Sequence, residues 1–147
     1  MNILCFGDSN THGYNPKDTT RFEKNIRWTG ILQNLLGEKD YVIEEGLSGR
    51  TTVFEDPINE GLCGLNYIVP CLMTHEPVDL LIIMLGTNDT KERFGANADV
   101  ISLGLTRLIK KVKNTEVAFR NNKPNILIVA PLPIRPEIES VECGATM

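Results

Sequence analysis

The sequence predicts an α/β fold built on a parallel sheet. Three observations carry that reading. Short apolar runs, several of them β-branched, recur along the chain, as strands buried on both faces require. Segments with a helical apolar period separate those runs. Strand and helix therefore alternate, which is the pattern of a parallel sheet. The 147 residues are 41% hydrophobic and 23% charged. That suits one domain, taken over residues 1–147, with a sizeable core.

The elements follow in order. Ile3–Phe6 reads as the first strand and stops at Gly7-Asp8-Ser9-Asn10. Trp28, Ile31, Leu32, Leu35 and Leu36 fall at i, i+3, i+4, i+7 and i+8, with Gly37 as a helix stop. Tyr41–Ile43 is the second strand, followed by Gly46-Leu47-Ser48-Gly49-Arg50-Thr51. Leu65, Ile68, Val69, Leu72 and Met73 repeat the helical spacing, and Pro70 predicts a kink or a late start. Leu80–Leu85 is the third strand, followed by Gly86-Thr87-Asn88-Asp89.

The longest helical stripe is Ile101, Leu105, Leu108, Ile109, Val112 and Phe119. Asn97 or Asp99 is its expected cap, and Lys110, Lys111 and Lys113 suit the negative end of its dipole. Ile126–Ala130 is the fourth strand and ends at Pro131-Leu132-Pro133.

Several function classes are excluded. A net charge of −4 leaves no electrostatic footprint for nucleic acid. No run approaches the ~20 apolar residues of a membrane span. Asn2 precedes the first strand without a basic region, so no leader is expected and the protein is placed in the cytoplasm. There the Asn88-Asp89-Thr90 sequon is idle. Cys5, Cys63, Cys71 and Cys143 form no C-x-x-C pair and read as reduced structural thiols. Neither G-x-G-x-x-G nor G-x-x-x-x-G-K-[ST] occurs, which ranks nucleotide binding last. No cofactor and no metal are expected.

In open parallel sheets the ligand sits beyond the carboxyl ends of the strands. The strand-to-helix junctions are therefore where chemistry is expected. Ser9 stands on the first turn after the first strand, where free amides point at whatever binds above. A serine that attacks a carbonyl needs N–H groups to hold the developing oxyanion. Gly49 offers a backbone N–H with no side chain in the way, and Asn88 an amide N–H from the third strand. The competing reading is a plain turn, since Asp8 and Asn10 favour turns by local hydrogen bonding. Trp28 and Phe94 are open between shaping a pocket and packing.

The motifs G-D-S-N (7–10), S-G-R-T (48–51) and G-T-N-D (86–89) resemble the first three blocks of the SGNH (GDSL-type) hydrolases. The longer matches R-W-T-G (27–30), E-E-G-L-S-G-R-T-T (44–52) and I-I-M-L-G-T-N-D-T-K (82–91) resemble the arylesterase/acyltransferase branch of that family. The resemblance runs from Asn2 to about Pro133. It implies a flavodoxin-like three-layer α/β/α sandwich. It also implies that Ser9 is the nucleophile. Its own N–H, the Gly49 N–H and the Asn88 side chain would then be the oxyanion donors. The expected activity is ester hydrolysis on short acyl esters through an acyl-enzyme, with acyl transfer to small nucleophiles.

One block is missing. The family draws its base and orienting acid from a late D-x-x-H motif. No aspartate here is followed by histidine at the third position. The two histidines are His12, three residues after Ser9, and His75. His12 is expected to line the pocket, because the family's base approaches from the other side of the nucleophile. His75 is expected at a helix end or on the surface. After the fourth strand no further crossover helix is legible, and an apolar sheet edge is an aggregation hazard. The expectation is a C-terminally truncated domain that lacks its last strand and helices, or a homo-oligomer that covers the edge. The alternative function is a catalytically incomplete binding or assembly module.

Overall fold

Strand β1 (Asn2–Gly7) runs through the middle of the molecule, and Leu4, Cys5 and Phe6 are fully buried. The computed structural model describes residues 1–133 in full and, beyond them, only the backbone of the short antiparallel pair Glu139–Ser140 and Ala145–Thr146. Cys143 and most of the stretch after Pro133 lie outside the described residues. After β1 come a single helical turn, α1 (Ser9–His12), and a two-residue hairpin of β2 (Tyr14–Asn15) and β3 (Thr20–Arg21). Helix α2 (Trp28–Leu36) leads to β4 (Tyr41–Gly46), α3 (Gly64–Thr74) to β5 (Leu80–Met84), and α4 (Ala98–Lys113) to β6 (Ile126–Ile128).

The sheet is parallel with order β4-β1-β5-β6. Its faces follow from strand alternation. Leu4, Phe6, Ile43, Leu81 and Ile83 meet α3 and α4 on one face. Ile3, Cys5, Val42 and Ile82 meet Trp28, Leu32 and Leu36 of α2 on the other. The three layers predicted from the resemblance are therefore present. Cys5, Cys63 and Cys71 are buried free thiols.

Four details differ from or refine the sequence reading. Ile31 and Leu35 of the first helical stripe are 45% and 81% exposed. Only the 28-32-36 row of α2 faces the sheet, so the stripe is wider than the face it meets among the described residues. Helix α3 starts at Gly64 and continues through Pro70, so its start is not delayed. Asn97, rather than Asp99, caps α4, accepting the Val100 N–H at 3.0 Å. The α4 stripe ends at Val112. Phe119 lies beyond the helix and forms a parallel bridge with Val78 at the start of the β5 segment.

The register sets the position of the site. Gly7 is level with Gly46 on one side and Met84 on the other. The loops after β1, β4 and β5 therefore leave the sheet at one height, beside each other. Among the described residues β6 pairs only with β5, and its Leu127 and Ile128 are 48% and 39% exposed.

Candidate active site

Ser9 opens α1 directly after β1. Asp8 caps that turn, accepting the Asn10 N–H at 2.9 Å and the Asn10 side-chain amide at 3.0 Å. Asp8 is fully buried, and burial pushes its carboxyl up while the bonds from Asn10 pull it down. The turn closes with His12 N–H to Asp8 O and Gly13 N–H to Ser9 O, both at 2.9 Å. Gly13 then takes a left-handed conformation (φ 82°), so α1 cannot continue. From below, Gly46 lets α1 sit against β4. A Cβ there would stand 2.1 Å from the His12 nitrogen.

Gly49 lies in the loop after β4 with φ 87°. That loop is turned by Arg50 N–H to Leu47 O at 3.1 Å and tied to the end of β1 by Leu47 N–H to Gly7 O at 3.1 Å. Asn88 begins a one-turn 3₁₀ helix, Asn88–Thr90, after β5 and is 5% exposed. Its side-chain amide donates to Arg50 O at 3.1 Å. One of its two amide hydrogens is thus committed to the Gly49 loop. The Ser9 and Gly49 N–H groups have no acceptor among the described residues.

Ser9, Gly49 and Asn88 therefore stand on three adjacent loops that are bonded to one another. What they offer is a hydroxyl and N–H donors from three strand ends, the donor set that a tetrahedral oxyanion needs. The structure also joins residues that sequence reasoning passed over. Arg50 Nη1 donates to Gly7 O at 3.1 Å. The buried Asp89 carboxylate accepts the Thr52 N–H at 3.0 and 3.1 Å, and the Thr52 hydroxyl as well. The one signal for these was their position inside the R-T-T and N-D stretches.

Neither histidine serves Ser9. The Ser9 hydroxyl has no hydrogen-bond partner among the described residues. His12 faces the Gly46 carbonyl and the cations Arg21 and Arg27. Burial pushes it below the ordinary imidazole value, and the two cations add to that. His75 ends α3 and is half-buried, with Nε2 2.8 Å from Glu45 Oε1. A cavity of about 600 Å³ opens beside the Ser9 turn, lined by Asn10, Trp28, Met84, Thr87, Val129 and Pro131 among others. Trp28 thus borders the cavity, whereas Phe94 stacks on Phe54 at 5.3 Å as packing. No helix of the described residues is long and apolar enough to cross a membrane.

Known proteins share this fold. Residues 5–143 match the GDSL-like lipase/acylhydrolase family. The inhibitor-bound aryl esterase of M. smegmatis is 45% identical and superposes with a TM-score of 0.85 over 92% of this chain. Est24, a carbohydrate acetylesterase from Sinorhizobium meliloti, is 40% identical with a TM-score of 0.83 over 92% of this chain. The chain spans 66% of the length of each of those two proteins. No curated protein matches it in sequence. Over nearly its whole length, then, the chain carries the fold and the first three sequence blocks of one family, and it belongs to the GDSL-like lipase/acylhydrolase family.

Proposed function

We propose that the protein is a serine esterase that cleaves short acyl esters through an acyl-enzyme on Ser9. The observation that carries this reading is the meeting of Ser9, Gly49 and Asn88 on three bonded loops at the carboxyl end of the sheet. Two relatives described as an aryl esterase and a carbohydrate acetylesterase support the same class of substrate.

The steps follow from the atoms present. Ser9 Oγ attacks the ester carbonyl carbon and gives its proton to a base. The carbonyl oxygen becomes an oxyanion, held by the N–H groups of Ser9 and Gly49 and the second amide hydrogen of Asn88. The tetrahedral intermediate collapses, the C–O bond to the alcohol breaks, and the alcohol leaves with the proton. Water, or another small nucleophile, then attacks the acyl-Ser9 carbonyl and frees the serine. Removing one such donor typically lowers turnover on the order of a hundredfold.

The base and its orienting acid are proposed to come from outside these 147 residues, either further along a longer polypeptide or from another subunit. Support comes from the Ser9 hydroxyl, which has no partner among the described residues, and from His12 and His75, which are engaged elsewhere. The apolar surface left on β6 and on the flank of α2 fits the same reading.

A fluorophosphonate probe tests the proposal. Ser9 is the expected site of attachment, and Ser9→Ala is expected to abolish both labelling and p-nitrophenyl acetate hydrolysis. Retained hydrolysis in that variant overturns it. The second reading is that the chain alone is a catalytically incomplete binding or assembly module, favoured by the missing base, because a triad without its base keeps only residual catalysis. Slow labelling of the isolated chain is what that reading expects.

A further inference from the structure

We infer that Arg50 is a positioning residue that holds the Gly49 N–H and the Asn88 amide in register with the Ser9 turn. The inference rests on the roles proposed above for Ser9, Gly49 and Asn88. Its basis is that Arg50 is bonded to all three strand ends at once. Its Nη1 donates to Gly7 O, two residues before Ser9, and to Glu45 O on β4. Its own carbonyl accepts the Asn88 amide, and its N–H closes the turn that carries Gly49. Gly49 has no side chain to anchor it, so its neighbour supplies the anchor.

The guanidinium is held tightly for a surface-loop cation. Arg50 is 3% exposed. Its Cζ lies 4.2 Å from the centre of the Phe6 ring and 5.3 Å from that of Tyr67. A cation stacked on two ring faces has little freedom to turn. Burial lowers the Arg50 pKa, and the charges of nearby groups, Glu45 among them, raise it. A buried arginine is costly unless it is paired, so the molecule maintains it for a purpose.

Glu45, Cys71 and His75 bring their ligand-type atoms within 4.8 Å of one another beside it. Those residue types suit a divalent metal. Here, however, the Glu45 carboxylate is already engaged by His75, and burial has pushed the Cys71 thiol up to about 12. A dication would also face the buried guanidinium. Glu45 is therefore better accounted for as a counter-charge that helps keep Arg50 in place, with His75 bonded to it.

The test compares the wild type with Arg50→Met, which keeps the stem and removes the donors, and Arg50→Lys, which keeps the charge. Two readouts are used: the NMR resonances of the Gly49 amide and the Asn88 side-chain amide, and the rate at which a fluorophosphonate labels Ser9. In Arg50→Met both resonances shift while core methyl resonances of Leu4 and Leu108 stay in place. Labelling falls by about tenfold or more. Arg50→Lys restores part of each. Unmoved Gly49 and Asn88 resonances in a folded Arg50→Met overturn the proposal. So does a general loss of chemical-shift dispersion in both variants, which would make Arg50 a stability residue only. The resonances are read without turnover. A wild-type chain that never labels at Ser9 therefore counts against the nucleophile, while the resonances still decide the role of Arg50.

Discussion

Asp89 and Thr52 are locked together inside the protein: both oxygens of the buried carboxylate accept the Thr52 N–H, and one also accepts the Thr52 hydroxyl. That clamp ties the loop after β4 to the loop after β5. Together with the Asn88–Arg50 bond, it keeps the Gly49 and Asn88 segments beside each other. Burial pushes the Asp89 carboxyl up, and the Thr52 bonds oppose the rise. Asp89→Ala is expected to strand the Thr52 donors and cost about 2–3 kcal/mol, read from urea denaturation midpoints. A variant as stable as the wild type would remove the clamp from the account.

On the proposed mechanism, Asn88 acts on chemistry more than on folding. Asn88→Ala deletes the proposed oxyanion donor and releases the Arg50 carbonyl. In any form of the protein that turns over p-nitrophenyl acetate, kcat is expected to fall on the order of a hundredfold with KM little changed. A rise in KM with kcat intact would move Asn88 from the oxyanion to ground-state binding.

Gly46 sets how closely the Ser9 turn approaches the sheet. A methyl group at this position meets the backbone of Thr11 and His12, with the His12 nitrogen 2.1 Å away. Backbone cannot step aside as a side chain can. Gly46→Ala is expected to displace α1, cost about 1–3 kcal/mol in stability and slow the labelling of Ser9. Thermal melts and probe kinetics read the two effects separately.

Much of the fold was legible in the sequence because it depends on local pattern. The four strand runs, the helix-stopping Gly37 and the capping Asn97 are each decided within a few residues. The failures came where local spacing and tertiary contact disagree. Phe119 continues the stripe of α4 by spacing, yet the helix stops at Lys113 and Phe119 packs beside Val78. Of the candidate site, the placement of Ser9, Gly49 and Asn88 on the loops after three strands was legible, because each follows an apolar run closely. Arg50 and the Asp89–Thr52 clamp were not. The bonds that tie them across strands join residues 37 to 43 positions apart, and no short-range pattern marks those.

The acid limb of stability has a separate source. Asp79 accepts bonds from Arg120 and from the Asn2 N–H, and the Arg120 bond is the main reason its carboxyl is held down to about 2 from an ordinary 3.8. A depressed carboxylate stabilises the fold above its unfolded value, and that contribution is lost as pH falls toward the folded one. Asp79→Asn is therefore expected to flatten the stability curve between about pH 4 and pH 2. Its effect should be constant above that window. Urea midpoints across the range test this, and an unchanged acid limb would contradict it.

The central claim is that this chain carries the nucleophile and its oxyanion donors but not the base. Peptide mapping after timed exposure of the 147-residue chain to a fluorophosphonate tests it most directly, with the His12→Ala and His75→Ala variants alongside. The account predicts slow labelling, confined to Ser9, at the same rate in both histidine variants. Rapid labelling that disappears with either histidine, or an adduct on another residue, would contradict it.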